Sequence, residues 1–527
     1  MVEFSMTSVA NAAPREPHSE LPKWAVEQLS ALQVQLAERD SRLALADAEL
    51  KRNALKIQRL TLELAVHKRI RFGTKSEAFT TEQRVLFDES CEEDGAAITR
   101  LIEQQQPASR REYKRTGRNP LPENLRRIEH RHDLESCTCG ACGHELTKIG
   151  EDVSEQLDCE PADFFVHRHI RPQYACRTCE TVVAADVSAS LIDGGLAAPG
   201  LHAWVLVQKY LDHLPLYRIE QIAARSGVTL ARSTLGQWVG ELGVRLEPLV
   251  DRLMVLLKQG SVLHADETPI QQLDPGKGKT KRAYLWAYRS NDLSGGPPIV
   301  VFDYQTSRAG EHARNFLAGW QGHLMVDHFA GYKEGFRLGL IELGCLAHAR
   351  RKFFDLHKAG QHPVAEEALA RIKAIYEVEA DARELDVAGR LALRKARAVP
   401  LLTDLHEWLM AQRSRTAAGT GLMRAIDYSL KRWPALIRYT ETGHLPIDNN
   451  PVENAIRPIA LGRRNWLFAG SERAGCRAAA IQSLLATAKL NGVEPYAWLK
   501  DTLEKLPAWP DSRIDELLPL RRYTALG

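Results

Sequence analysis

Long apolar runs are missing from this chain. Nowhere do 18 apolar residues stand together, so no segment reads as a membrane-spanning helix. The opening stretch, MVEFSMTSVANAAPREPHSE, carries an early acidic residue and no apolar core, and does not read as a secretory signal. Cysteine is scarce. Nine in 527 residues are too few for a disulfide scaffold, and the reducing cytosol expected for this chain would disfavour one. A large charge excess is absent too. The formal net charge of +3 excludes no class of partner, because the charge is unevenly distributed. Between Arg110 and Arg131 eight Lys/Arg stand against three Glu, just downstream of the acidic run DESCEED (88–94). A basic stretch of this kind suits either a solvated segment or an arm on a nucleic-acid backbone.

What is present begins with a heptad. Leu29, Leu36, Leu43, Leu50, Ile57 and Leu64 recur every seven residues without Pro or Gly between them. This predicts a long helix over 23–70, either a dimerising zipper or an amphipathic helix packed on its own chain. Its d row (Leu32, Arg39, Ala46, Asn53, Leu60, His67) is half polar, which makes the zipper marginal alone. Residues 1–22 read as a flexible tail, and 71–125 as linker with the basic arm.

Four of the nine cysteines form two Cys-x-x-Cys pairs, Cys139/Cys142 and Cys176/Cys179, separated by alternating patterns such as DFFVHRHIRPQYA. Paired knuckles joined by short strands describe a zinc ribbon over 126–185, with four thiolates closing a structural Zn²⁺ site. Cys137 and His144 stand close enough in sequence to compete as ligands. Over 186–255 the pattern becomes helical. YRIEQIAARSGVTLARSTLGQWVGEL reads as a helix, a Gly-centred turn and a second helix beginning near Arg232 and Ser233, which resembles a helix-turn-helix. Ser233 serves equally as an ordinary N-cap there.

From 256 the pattern is α/β. SVLHADETP, KRAYLWAYRS and PPIVVFDYQ read as strands, RAGEHARNFLAGW as a helix and HLMVDHF as a fourth strand. LIELGCLAHARRKFFDLH reads as a strand running into a helix, and about 356–440 as wholly helical. DNNPVENAIRP then opens a helix, with Asp448 or Asn449 as cap and Pro451 in the first turn. Asp266 and Asp327 each close a buried strand, and Glu453 sits in that late first turn. A carboxylate at the end of a buried strand is costly without a positive partner. Three converging ones would suit hard divalent cations. Glu267 competes with Asp266, and each acid has an ordinary structural role open to it.

The order strand–strand–strand–helix–strand, with acids on the first and fourth strands and on a late helix, is that of an RNase H-like fold. Together with RFGTKSE, CGACG…YACRTCE, HADETP, VDHFAGY, CLAHARRKF, DNNPVENAIRP and RRNWLFAGSERAG, it resembles the transposases of the insertion-sequence sixty-six family, in the DDE superfamily. That resemblance implies a multidomain α/β protein: coiled coil, zinc ribbon, helix-turn-helix-like segment, an RNase H-like catalytic domain (256–475, helical insertion about 356–440) and a helical C-terminal region (476–527). It implies a catalytic triad of Asp266, Asp327 and Glu453 holding two Mg²⁺, with Mn²⁺ as a substitute. Asp266 would bridge the metals, about 3.5–4 Å apart, during cleavage and strand transfer. It implies DNA as partner (transposon ends and target), a homo-oligomer through the zipper, accessory proteins of the same element, no membrane, and a bacterial, nucleoid-associated cytoplasmic location. Arg350, Arg351, Lys352, Arg457, Arg463, Arg464, Arg232 and Ser233 are expected at DNA. The family usually has Trp where this chain has Leu346. Trp466 reads as core filling before base stacking. The alternatives are a catalytically silent DNA-binding regulator and a stand-alone nuclease.

Overall fold

In the computed structural model, residues 23–72, 81–104, 121–123, 125–134, 136–160, 163–186, 190–192, 195–274, 279–360 and 362–521 are described. The tail, RFGTKSE beyond Phe72 and most of the basic arm (105–120) lie outside them. The chain opens with α1 (Lys23–Phe72), a single helix of 50 residues, followed by α2 (Thr81–Gln104). A first sheet comprises β1 (Arg126–Arg131), β2 (Leu146–Glu160), β3 (Asp163–Cys176) and β4 (Val182–Ala184), with β3 central. Helices α3 (Pro199–Tyr210), α4 (Leu216–Arg225) and α5 (Arg232–Leu257) lead into the second sheet.

That sheet is built from β5 (Val262–Asp274), β6 (Lys279–Ser290), β7 (Val300–Gln305), then α6 (Gly310–Phe316), β8 (His323–Val326), α7 (Lys333–Arg337) and β9 (Ile341–Gly344). Its strand order is β7-β6-β5-β8-β9. The first three strands are antiparallel, as hairpin connections permit. β8 and β9 join in parallel after crossovers. Next come α8 (Leu346–Gly360), α9 (Pro363–Asp381), α10 (Val387–Leu393), α11 (Val399–Arg415), α12 (Gly421–Lys431) and α13 (Trp433–Ile437), then α14 (Asn450–Trp466), α15 (Glu472–Leu490) and α16 (Pro495–Lys505).

Alternation along β5 separates two interiors. Leu263 and Ala265 point into the larger one, shared with α3, α4, α5 and α16. Val262 and Ile270 point to the opposite face. There α8, α9, α11 and α12 cover the β8–β9 side, and α14 covers the β6–β7 side. β7 is an edge strand, and α15 lies along it. Ser483 Oγ accepts from Phe302 N (2.8 Å) and Thr487 Oγ1 from Val300 N (3.2 Å), which satisfies donors that an open edge would leave free.

Two expectations need correction. Residues 81–104 are not linker. They form α2, and its acidic run faces inward. Glu93 takes Lys209 (2.9 Å) and Arg477 (2.7 Å), and Asp94 takes Arg477 (3.2 Å), with both acids and Arg477 deeply buried and Lys209 largely so. Spacing of four residues puts Glu89 and Glu93 on one helix face, and Asp94 beside them reaches the same arginine, so the charge is paired inward. Nor does Ser233 cap its helix: Ala231 occupies the N-cap of α5 and Ser233 is exposed. The cations at the end of the basic stretch are also engaged, Arg127 with Glu155 and Arg131 with Glu151 (both 3.0 Å) across the first sheet.

Candidate metal and nucleic-acid site

Ladder register sets two of the predicted acids side by side. β5 and β8 run parallel with Val262, Leu263 and His264 paired to His323, Leu324 and Met325. Two residues beyond the last pair, the same register sets Asp266 level with Asp327. Residues in register on parallel strands point to the same face. Just after Asp327 the chain turns sharply. His328 has φ of 94°, a conformation L side chains rarely adopt, and Asp327 Oδ1 accepts from Phe329 N at 3.0 Å. Tyr428 of the helical insertion donates to the Asp327 carbonyl (3.1 Å).

Glu453 is brought to that face by a residue two positions ahead of Pro451. Asn449 is fully buried. Its Oδ1 meets His264 Nδ1 (3.0 Å), its Nδ2 donates to the Ala265 carbonyl (2.9 Å), and its N–H donates to Cys345 Sγ (3.2 Å). These bonds pin the start of α14 to β5 immediately before Asp266. The cap of α14 is therefore unlike the expected one. Asn449 holds the N-cap position without capping through its side chain, and Asp448 Oδ1 takes the Asn450 N–H (3.1 Å). In the sequence, Asn449 is indistinguishable from an ordinary cap.

The three acids are half-buried, and Asp266 feels the other two. Burial, then Glu267, then Asp327, with Glu453 adding, pushes the Asp266 carboxyl up to about 8. Asp266 Oδ1 accepts from Glu267 N at 2.9 Å. Glu267 is differently placed. It points to the other sheet face, where Arg308 (2.5 and 2.8 Å) and the Tyr332 hydroxyl (3.1 Å) hold it. Burial raises it to about 7 against the pull of Arg308. Glu267 is thus occupied by protein partners, while Asp266 faces the other acids.

Glu453 meets Arg351 (3.1 Å), and His348 Nδ1 lies 3.6 Å from its Oε1. Burial lowers the His348 pKa, which keeps the imidazole neutral, so this approach is not an ion pair. Among the expected DNA contacts, Arg350, Arg351 and Lys352 are exposed on α8 beside Glu453, and Arg457 and Arg464 are exposed on α14. Arg463 donates to the Pro269 carbonyl (2.9 Å). Arg350, Arg351, Lys373, Phe354, Tyr376 and Asn450 line a cleft of about 480 Å³, to which sequence reading contributed only the first two. Arg232 and Ser233 stand apart, at the first turn of α5, where Leu235, Gly236, Trp238 and Val239 are buried and Gln237 is exposed. Trp466 packs against the core under α14.

The knuckles converge. Sγ atoms of Cys139 and Cys179, and of Cys142 and Cys176, lie 3.3 Å apart, and those of Cys142 and Cys179 3.4 Å. Tetrahedral Zn–S bonds of about 2.3 Å put sulfurs roughly 3.8 Å apart, close to this spacing. Each knuckle turns through a positive φ, at Gly143 (74°) and Glu180 (56°), whose N–H returns to the first cysteine's carbonyl at 2.8 Å. Cys137 stays outside this four-sulfur group, and His144 Nδ1 faces the Cys142 carbonyl. The donor set fits a structural Zn²⁺. No helix among the described residues is long and apolar enough to cross a membrane.

Comparison with known proteins agrees with this arrangement. Residues 194–477 match the family model described as Transposase IS66 family, 136–180 the zinc-finger binding domain of transposase IS66, 483–520 the IS66 C-terminal element, and 59–129 the Transposase C of IS166 homeodomain. The uncharacterised protein y4qI of Sinorhizobium fredii is 37% identical over 517 residues, covering 93% of this chain and 95% of that protein. The uncharacterised y4jD of the same organism is 37% identical over 412 residues, 76% of this chain and 81% of that protein.

Proposed function

We propose that this chain, which belongs to the Transposase IS66 family of DDE-type transposases, binds the ends of an insertion sequence and catalyses metal-dependent cleavage and joining of their strands. One observation carries the reading. Asp266 on β5 stands level with Asp327, one residue beyond the end of the adjacent parallel strand β8, and Glu453 lies in the first turn of α14; Asp327 and Glu453 both push the Asp266 carboxyl up. We read the β5–β9 sheet with its helices as an RNase H-like domain carrying a helical insertion, and the three acids as its catalytic set.

The donor set suits Mg²⁺, with Mn²⁺ as a substitute. It is all carboxylate oxygen, and the acids repel unless cations neutralise them. Glu453 Oε1 is buried without a hydrogen-bond partner. Asp266, Asp327 and Glu453 would hold two such ions, which when bound supply Lewis acidity to the attacking and leaving oxygens of an in-line displacement at phosphorus. The protein's own contribution is positioning. Asn449 fixes Glu453 against the sheet, and Tyr428 with the Phe329 N–H fixes the Asp327 turn. Arg350, Arg457 and Arg464 offer exposed guanidinium forks to backbone phosphates. Arg351 is held by Glu453 until DNA competes for it. The α1 zipper pairs two copies so that two DNA ends meet, and the zinc ribbon and the α4–α5 pair contact DNA.

The test is direct. Purified full-length chain, labelled element-end DNA and Mg²⁺ are incubated beside Asp266→Ala and Glu453→Gln. Nicking by the wild type that falls at least 100-fold in both variants, with DNA binding retained, is the expected result. Binding without cleavage by the wild type, even with the accessory proteins of the element supplied, sinks the enzymatic reading in favour of a DNA-binding regulator.

A further inference from the structure

Beside the carboxylate face lies a donor set of different chemical character. Cys345, the fully buried residue that follows β9, His348 in the first turn of α8 and Glu453 on α14 place one sulfur, one nitrogen and one oxygen within 4.8 Å of one another. Three separate features build this group. The Cys-x-x-His spacing turns both side chains to one side of the α8 start. Asn449 ties α14 to Cys345 through its N–H. Glu453 then faces His348. Among the described residues nothing completes the arrangement: His348 Nδ1 and Glu453 Oε1 are both buried from water and neither has a hydrogen-bond partner. Two polar atoms 3.6 Å apart, each desolvated and each unsatisfied, are costly. A cation between them would remove that cost.

The geometry points to a second metal site, in which a borderline-soft divalent ion such as Zn²⁺ or Cd²⁺ is bound by Cys345 Sγ, His348 Nδ1 and Glu453 Oε1, leaving an open coordination position. Thiolate, imidazole and carboxylate together select zinc-like ions, whereas Mg²⁺ prefers oxygen alone. Binding displaces the thiol proton to solvent. Glu453 belongs to both sites, so an ion held here withdraws it from the carboxylate face. That consequence, inhibition of cleavage by soft metals, rests on the function proposed above; the binding itself does not.

Metal-stripped full-length protein is titrated with Co²⁺ and followed by its thiolate charge-transfer and d–d absorption, without DNA. Wild type should take up roughly two thiolate-bound equivalents, one in the knuckles and one here. Cys345→Ser and His348→Ala should each lose the second, with the four-thiolate spectrum intact. Cys142→Ser should abolish that spectrum and keep the second site. His348→Ala guards against misfolding of the buried Cys345 variant, because it leaves the core thiol untouched. A single equivalent in the wild type, or two equivalents surviving in His348→Ala, overturns the proposal. Since no cleavage is measured, a failure here stays separate from a failure of the transposase reading.

Discussion

At the scale of single residues, the site depends most on a side chain that touches no candidate ligand directly except through the backbone. Asn449 gives its amide to the Ala265 carbonyl and its oxygen to His264. Truncating it leaves a buried carbonyl and a buried imidazole unpaired, each worth about 1–3 kcal/mol. Asn449→Ala should therefore lower urea-unfolding stability by roughly 2–4 kcal/mol. On the proposed function it should also slow cleavage more than it weakens DNA binding, because Glu453 loses its register to Asp266. Full cleavage by a destabilised variant would remove Asn449 from the positioning role. A second residue contributes to acid sensitivity, beside the likewise buried His264, whose pKa burial drops to about 4. His202 on α3 is fully buried against Trp238, and burial drops its pKa to about 3, with Asp158 pulling it up and Arg245 pushing it further down. The folded value lies below the ordinary value near 6.5. The unfolded chain therefore binds the extra proton between these limits, and stability present above pH 6.5 is lost as pH falls toward 3. At about 1.4 kcal/mol per unit, moving from pH 7 to 5 should cost roughly 2 kcal/mol. His202→Leu should lessen that slope in urea midpoints taken at the two pH values, leaving the part that His264 supplies, and an unchanged slope would contradict the assignment.

At the scale of elements, the seating of α2 shows both what sequence reading reached and what it missed. α2 lies on α5 at glycines. A methyl group at Gly240 would overlap the Glu93 carbonyl, while one at Gly236 would press on the Glu92 side chain at 3.2 Å and meet the Glu89 carbonyl at an ordinary contact distance of 3.6 Å. A backbone carbonyl cannot step aside, so Gly240→Ala should cost about 1–3 kcal/mol. Gly236→Ala should stay within about 1 kcal/mol of wild type, helped by alanine's helix propensity. Thermal melts of the pair decide it, and equal melting temperatures would show that α2 is not closely seated. Little of this contact was visible in the sequence. The acidic run DESCEED resembles a solvated face because its partners, Lys209 and Arg477, stand about 115 and 385 positions away. Strands β5 to β8, by contrast, were legible, since each buried apolar run ends at a polar or turn residue. Asp266 and Asp327 were legible for the same reason: a charge that closes a buried strand is conspicuous. Asn449, Tyr428 and Arg308 were not, because their importance lies in which backbone atom or carboxylate they reach across the fold. Cys345 and His348 carried a visible Cys-x-x-His spacing, but the third ligand comes from a helix some 105 positions later.

At the scale of the whole molecule, α1 leaves an apolar row uncovered. Leu36, Leu43, Leu50, Ile57 and Leu64 are 53–67% exposed. The helix meets the body of the protein on a different face, where Leu62 reaches Gly95 of α2 and Gln58 accepts from Arg473. A face spent on the protein and a separate seven-residue row left to water is the arrangement expected if a second α1 covers the row. The β5–β9 sheet carries the acids, and α1 presents an exposed apolar row that, on the proposed function, a second copy of the chain covers. Replacing Leu43 and Leu50 together with Lys tests this without damaging the helix, because Leu and Lys have similar helix propensity. The variant should keep its helical circular dichroism and its melting temperature, yet run as a monomer by light scattering where the wild type runs as a dimer or larger. Each leucine removed from a paired seam costs about 2 kcal/mol or more of association energy, with like charges adding to it. Two per chain should raise the dissociation constant at least 100-fold. On the proposed function, the same variant nicks single DNA ends at near wild-type rate and fails to pair two ends in one complex. A variant that remains dimeric would assign the contact between copies to another surface and leave α1 as a helix packed on its own chain.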